Sequence, residues 1–210
     1  MERRGKRWVN SLIIVWTGAL LIFCFIPIVG VIISSFGKAR YFRFPVKEYS
    51  TKWYEQTINA NLTETLHVTS FYVAGSVAVI ALVLGFFGAL AFARYDWKGR
   101  IFYQRLIMLP IFFPQAVLGL ALLLWFTYVG VLPSWETAVF AHLVWIVPIV
   151  TLIISIQVYG FDVSQEEAAF DLGANRFQVF REVTLPALAP GLFSGALFAF
   201  LLSWGNFPLS

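Results

Sequence analysis

The sequence predicts an all-α polytopic membrane protein, a bundle of transmembrane helices, on three observations. Of its 210 residues, 60% are hydrophobic and only 12% are charged. The mean hydropathy is +0.79, above that of an ordinary soluble domain. The charged residues are clustered, and five charge-free runs lie between the clusters, at 8–37, 65–93, 106–135, 137–161 and 183–210. Each run exceeds the roughly 20 residues that a helix needs to cross a hydrocarbon core.

These runs predict five spans in a single transmembrane domain over 1–210, at about 9–36, 67–93, 106–129, 137–160 and 187–206. Helices are expected because backbone N–H and C=O groups in lipid must be bonded within the segment or by a protein neighbour. A soluble protein with a large core is the weaker interpretation, since such runs are too long for core helices. The first run is also too long for a secretory signal, and no cleavage site follows it, so it predicts a retained anchor.

The basic residues predict a cytoplasmic N-terminus. Four precede the first span, four lie between Arg94 and Arg105, and Arg176 and Arg181 follow the fourth span. Five lie on the opposite side, at Lys38, Arg40, Arg43, Lys47 and Lys52. Because Lys and Arg are enriched in cytoplasmic loops, this distribution favours an inside N-terminus. The net charge of +4 is thus a topology signal, and it does not indicate a nucleic-acid partner.

Prolines and small residues occur within or beside the spans. The prolines predict bent helices, and the small residues predict helices that approach one another closely. Gly85, Ala89 and Ala93 recur every four residues in the second span and predict a helix contact stripe. The prolines within or beside the spans are Pro27, Pro110, Pro114, Pro148 and Pro190. For these residues, helix packing is favoured over a moving hinge.

Five of the eleven acidic residues lie between Asp162 and Glu182, in the segment that follows the fourth span. Ser164 and Glu167 have the spacing of a capping box, which predicts that a short helix starts there. Gly173 predicts its end, because glycine suits the left-handed position just past a helix C-terminus.

A second helix is predicted directly after this corner. Asn175 and Gln178 form another capping pair, and the helix is expected to end near Leu185, because Pro186 disfavours helical geometry in the residue before it. The first helix is too short to be stable alone in water. We therefore expect a partner to cover it.

The segment "EEAAFDLGANRFQVFREVTLP", residues 166–186, resembles the EAA motif of the permease subunits of type I ABC importers. The motif positions are Glu167, Ala168, Ala169, Gly173 and the pair Leu185–Pro186. The whole chain is similar to the spermidine/putrescine type of permease, through "STKWYEQ" at 50–56, "ALAFARYDWKGR" at 89–100 and "LPIFFPQAVLGLAL" at 109–122.

The resemblance implies an ATP-driven importer in the bacterial inner membrane, in which this chain forms part of the path and loop 161–186 is cytoplasmic. The short helix would be a coupling helix that docks on an ABC ATPase subunit, present in two copies. A second permease subunit, an extracytoplasmic solute-binding protein touching residues 41–53, and membrane lipid are the other implied partners. The implied coupling residues are Glu166, Glu167, Ala168, Ala169, Phe170, Asp171, Leu172, Gly173, Ala174, Leu185 and Pro186.

Two features differ from the family pattern. The family has six spans, and five are found up to Ser210, so we expect a sixth span to be missing. Polyamine-type permeases tend to carry acidic residues after the serine–tryptophan pair of span five, whereas Ser203 and Trp204 are followed by Gly205 and Asn206. No predicted span contains a carboxylate, which a polycation in a low-dielectric path would favour. The solute is therefore expected to be polyamine or amino-acid-like, with neutral, zwitterionic and anionic solutes left open.

Polar residues within spans are candidates for the translocation path, because an intramembrane polar group is costly unless it faces protein or water. For His142, a helix-to-helix hydrogen bond is the favoured interpretation. Gln157 is a further polar position. The residues predicted for the path are Gln115, Tyr128, Ser203, Trp204 and Asn206.

Other classes of protein fit less well. An ATP-independent channel or secondary transporter is the main alternative, but it leaves the capped acidic helix unexplained. An intramembrane enzyme would need paired acids or a nucleophile with a base, and His67 and His142 have no such neighbours. No G-x-x-x-x-G-K-[ST] motif occurs, so ATP and Mg²⁺ are expected in the partner ATPase and no cofactor in this chain. Cys24 is the only cysteine, which predicts no disulfide or cysteine metal site.

Overall fold

The computed structural model describes residues 2–41, 45–206 and 209, with side chains described from Trp8 onward. It confirms the all-α class, since in this part of the chain the extended pairing is limited to an isolated bridge between Gly37 and Tyr49. The helices are α1 (Glu2–Ser35), α2 (Lys52–Ile58), α3 (Asn61–Ala89), α4 (Arg100–Met108), α5 (Gln115–Tyr128), α6 (Trp135–Gly160), α7 (Ser164–Asp171), α8 (Arg176–Val179) and α9 (Leu185–Trp204).

Four helical stretches in the described chain are long and apolar enough to cross a membrane, at Trp8–Ser35, Asn61–Arg94, Trp135–Gly160 and Arg176–Trp204. They match four of the five predicted spans. The predicted third span, 106–129, corresponds to a pair of helical stretches that meets the same test only when the two are taken together, Arg100–Phe112 and Gln115–Tyr128, bent by 101°. Counted as one broken span, this pair is the fifth candidate in the described chain.

The bend has a local cause. A 3-10 turn, Leu109–Phe112, includes Pro110, and Phe113 then takes an extended conformation immediately before Pro114. Proline removes a backbone donor and disfavours helical geometry in the preceding residue, so two prolines within five positions end the helix. At 1.5 Å per residue, the 14-residue α5 is only about 21 Å long, shorter than a hydrocarbon core of about 30 Å.

The chain divides into two compact units, Met1–Thr65 and Leu66–Ser210. In the first unit, the segment after α1 is held by local bonds. Trp53 Nε1 donates to the Gly37 carbonyl at 2.9 Å, and Lys38 Nζ donates to Glu48 Oε2 at 2.7 Å. This ion pair raises the pKa of Lys38 and lowers that of Glu48. The predicted outer loop 41–53 belongs here, although its residues 42–44 lie outside the described residues.

In the second unit, α6 packs against both α3 and α9. Glycines permit the close approach. A Cβ on Gly85 of α3 would lie 2.8 Å from Val150 Cγ1, and one on Gly191 of α9 would lie 2.8 Å from Gln157 Cβ. Gly85 and Ala89 are buried and Ala93 packs against the same core. The predicted contact stripe is therefore confirmed.

Large apolar side chains lie on the outside of this unit. On α9, for example, Phe193, Leu197, Phe198 and Leu201 are exposed, whereas the buried positions of that helix include Gly191, Gly195, Ala199 and Ser203. Small residues at helix contacts and large apolar residues outside are typical of bundles packed within lipid. The expectation of one domain over 1–210 remains a prediction.

The helix predicted to end near Leu185 does not end there. α8 continues through a π-helical turn, Phe180–Thr184, into α9, and the whole stretch Arg176–Trp204 is one candidate span. In this turn the Leu185 N–H donates to the Phe180 carbonyl, five residues back. A π turn contains one extra residue per turn. We attribute the continuation to this wider turn, which lets Pro186 follow without breaking the helix.

Candidate functional site

The start of α7 differs from the capping box predicted at Ser164. The helix begins at Ser164 itself, without a side-chain capping bond from the preceding residue. Asp162 takes this role, because its Oδ1 accepts a hydrogen bond from the Ser164 N–H at 3.0 Å. The Ser164 hydroxyl and backbone N–H both bond to this carboxylate and lower the pKa of Asp162. A charged acceptor two residues earlier thus outcompetes the hydroxyl for the helix start.

The end of α7 confirms the prediction. Gly173 has φ +87°, and its N–H donates to the Phe170 carbonyl at 2.9 Å, while the Ala174 N–H reaches the Ala169 carbonyl at 3.0 Å. These are the two bonds of a Schellman motif. The predicted second capping box is also confirmed, since Asn175 and Gln178 each accept from the backbone N–H of the other. Short helix, glycine corner and second helix follow in the predicted order.

The two faces of α7 differ in exposure. Glu167, Ala168, Asp171 and Leu172 are exposed, and Leu172 is 90% exposed. Glu166 points inward and is only 6% exposed. The resemblance to the EAA motif implied the same role for both glutamates, as carboxylates available to a partner protein. The structure separates them, because only Glu167 lies on the open face.

Three hydrogen bonds surround the Glu166 carboxylate. Arg94 Nη1 donates to Oε1 at 2.9 Å, Arg94 Nη2 donates to Oε2, and the Thr184 hydroxyl also donates to Oε1. Burial raises the pKa of Glu166, but the bonds from Arg94 and Thr184 and the positive charge of Arg94 together lower it below its ordinary value. Glu166 is therefore ionised at neutral pH, as a bidentate arginine partner should be.

Sequence reasoning missed Arg94 and Thr184 as site residues. Arg94 entered the prediction only through the distribution of basic residues, and Thr184 only as one position within the predicted second helix, which was expected to end near Leu185. A usable signal was present, because Arg94 ends the second span and Glu166 follows the fourth, which places both at the same side of the predicted membrane. Pairing them needed the tertiary contact.

Of the predicted path residues, Ser203, Trp204 and Asn206 lie together at the end of α9, and Ser203 and Asn206 are buried while Trp204 is 43% exposed. Ser203 Oγ lies 2.7 Å from His142 Nδ1 of α6, which is the helix-to-helix hydrogen bond favoured for that histidine. Gln157 likewise donates to the Ala187 carbonyl at 3.1 Å. Gln115 and Tyr128 lie at opposite ends of α5, and Tyr128 is 90% exposed.

Together, apolar spans packed through glycines and a short helix between two of them define a class, that of polytopic α-helical membrane proteins. Residues 81–209 match the family model described as "binding-protein-dependent transport system inner membrane component". The chain belongs to this family, whose members are permeases of type I ABC importers. Its homologues are transport components and not enzymes.

Curated relatives support the assignment over most of the chain. The spermidine/putrescine transport system permease protein PotC of Escherichia coli (strain K12) is 29% identical over 192 residues, which cover 91% of this chain and 72% of PotC. The molybdenum transport system permease protein ModB of the same organism is 32% identical over 152 residues, covering 66% of each chain.

A solved structure supports the fold. A bacterial ABC transporter involved in the import of the acidic polysaccharide alginate matches with a TM-score of 0.54 and 19% sequence identity. The match covers 97% of this chain and 73% of the transporter chain. The chain thus has the fold of an ABC importer permease.

Proposed function

We propose that this chain couples ATP hydrolysis in a separate subunit to the import of a small organic solute, with α7 as the coupling helix. The observation that carries the proposal is the geometry of the EAA segment. α7 ends at a left-handed glycine and presents Glu167, Ala168, Asp171 and Leu172 on an open face. Small, acidic and apolar groups on one short helix fit a groove that combines basic and apolar side chains.

The proposed orientation has the N-terminus and α7 in the cytoplasm, as the distribution of basic residues predicts. α7 then faces the compartment that contains ATP. ATP and Mg²⁺ are bound by the ATPase, which is present in two copies. Closure of that pair displaces α7 and so switches the spans between inward-open and outward-open states. A second permease subunit completes the path, and an extracytoplasmic solute-binding protein delivers the solute to the outer loop.

The proposed solute is polyamine or amino-acid-like. Similarity to PotC over 91% of the chain supports a polyamine, and the absence of a carboxylate at the predicted path positions favours a solute of lower positive charge. Within α9, Ser203, Trp204 and Asn206 are the proposed contacts. Gln115 and Tyr128, at the two ends of α5, are proposed as further contacts along the same path.

Reconstitution tests the function directly. The full-length permease is placed in proteoliposomes with its second permease, ATPase and binding protein, and uptake of radiolabelled putrescine, spermidine, glutamine and molybdate is measured with and without ATP. We expect ATP-dependent uptake of one organic solute. Uptake that proceeds without the ATPase would establish the channel or secondary-transporter alternative and contradict the proposal.

Glu167→Gln is expected to weaken docking of the ATPase by about tenfold, because it removes an interfacial charge while retaining the shape of the side chain. The ATPase that co-purifies with the membrane complex is quantified over a salt series. Glu182→Gln is the matched control, since Glu182 is also an exposed glutamate but lies outside α7. Equal recovery with both variants would show that Glu167 has no docking role.

A further inference from the structure

Among the residues whose side chains the structure describes, Glu166 is the only buried carboxylate. Its neighbours Gln165 and Glu167 are exposed. A buried carboxylate is costly unless it is paired and hydrogen-bonded. Both oxygens of Glu166 accept such bonds, from Arg94 and Thr184. We call these three residues the Glu166 cluster.

Each partner of Glu166 closes a π-helical turn. Arg94 is the last residue of the turn Leu90–Arg94, which extends α3, and Thr184 is the last residue of the turn Phe180–Thr184, which leads into α9. π turns occur mostly as single insertions in α-helices and often at functional sites, because the helical bonding is interrupted there. The carboxylate therefore joins α7 to two candidate spans, in each case at a π-helical turn.

A third span end is also within reach of the cluster. The Arg94 guanidinium carbon lies 6.0 Å from the ring centroid of Phe161, the residue that caps the C-terminus of α6. This is the distance of a cation–π contact. Arg94 thus lies between the acid of α7 and the end of the span that precedes α7.

The covalent chain connects α7 to α3 and α9 only through intervening segments. Arg94 and Glu166 are 72 residues apart, so the backbone between them passes through α4, α5 and α6. The shorter route from α7 to α9 passes the Gly173 corner. A charge-assisted bidentate pair instead holds both partners in a defined relative orientation.

We infer that Glu166 is a positioning residue that transmits the displacement of α7 to the ends of α3 and α9 through Arg94 and Thr184, while the exposed face of α7 binds the ATPase. The inference rests on the proposed function, because it assigns the force-transmitting contact of the same helix. It divides adjacent glutamates between two roles: Glu167 contacts the partner subunit, and Glu166 contacts the membrane helices of its own chain.

The test separates docking from transmission in the assembled transporter. A reporter cysteine replaces Trp204 in a Cys24→Ser background, and its labelling by a membrane-impermeant maleimide is compared between nucleotide-free and ATP–vanadate-trapped complexes. With the Glu166 cluster intact, we expect the labelling rate to change by about tenfold, a typical size for coupling between sites. With Glu166→Gln, we expect the ATPase to co-purify and hydrolyse ATP as before, while the change in labelling falls to less than about twofold.

Thr184 supplies a second pair of variants in case Glu166→Gln assembles poorly. Thr184→Val keeps the side-chain volume and both charges but removes the hydroxyl that donates to Glu166, whereas Thr184→Ser retains it. We expect the nucleotide-dependent change in labelling to be reduced by Thr184→Val and to be present with Thr184→Ser. A role limited to folding would lower the amount of both complexes without this difference in response.

The outcomes distinguish the two proposals. No nucleotide-dependent labelling in the intact complex, or no ATPase in it, would contradict the proposed function itself. A normal change in labelling with Glu166→Gln or Thr184→Val, beside an intact complex that responds, would overturn only the role of Glu166. Loss of ATPase recovery with Glu166→Gln but not with Glu167→Gln would reverse the division of roles, and it would also overturn the role inferred for Glu166.

Discussion

Replacing Gly85 with valine is expected to leave little folded protein in detergent, whereas valine at Gly75 is expected to be tolerated. The Cβ of a residue at 85 would lie 2.8 Å from Val150 Cγ1 and 3.2 Å from the Thr151 backbone nitrogen. The same Val150 methyl group also faces α9, since a Cβ on Gly195 would lie 3.2 Å from it. Val150 is fully buried, so its side chain has little room to shift away from an added side chain at position 85.

The magnitude follows from core packing. Overpacking costs about 1 to 3 kcal/mol and more where the backbone is contacted, which is a large part of a total stability of about 5 to 15 kcal/mol. The measurement is the monodisperse fraction after a heating series, followed by size-exclusion chromatography of the fluorescently tagged permease.

Gly75→Val is the matched control for this experiment. It lies in the same helix, and nothing lies within 4 Å of a Cβ built there. The lower helix propensity of valine applies equally at both positions, so the comparison isolates the contact with α6. Equal melting curves for the two variants would contradict the packing described for α3 and α6.

The second large effect is expected at the glycine corner. Gly173→Val should lower ATP-driven uptake by about tenfold or more while the protein still inserts into the membrane. Gly173 has φ +87°, and nothing lies within 4 Å of an added Cβ. The cost therefore comes from the backbone alone, about 1 to 2 kcal/mol for an ordinary L-residue and more for a β-branched one, and about 1.4 kcal/mol corresponds to tenfold.

The measurement is uptake per ATP hydrolysed in the proteoliposome assay, with permease abundance determined in the same vesicles. Gly173→Asn is the matched control, because asparagine adopts the left-handed conformation more readily than other non-glycine residues. We expect it to keep most of the coupled uptake. If Gly173→Val transports with the efficiency of the wild type, the corner does not contribute to coupling.

Local chemistry accounts for the predictions that the structure confirms. The glycine corner and the Asn175–Gln178 capping box depend only on residues within a few positions, and both are present. The capping residue predicted for α7 was wrong, although it too depends on local chemistry. Two nearby side chains could accept at the helix start, and the charged one, Asp162, bonds to Ser164.

Prolines show a second limit of local pattern. Pro186 was expected to end a helix, but a π turn precedes it and the helix continues. Pro110 and Pro114 were expected to bend a span, and the two helical stretches that meet there are bent by 101°. Local pattern shows that a proline perturbs a helix. Whether the helix widens, bends or ends depends on neighbouring segments that satisfy the released backbone groups.

The sequence alone determined the class of this protein, because the features that define the class are properties of composition and spacing. These features are the charge-free runs of membrane-spanning length, the distribution of basic residues and the EAA segment. The tertiary structure alone decided the different environments of the two adjacent glutamates. Glu166 and Glu167 are chemically identical and consecutive, and on a helix they point in directions about 100° apart. Only the folded chain brings Arg94 and Thr184 to one of them, and a buried carboxylate is stable only where such partners converge.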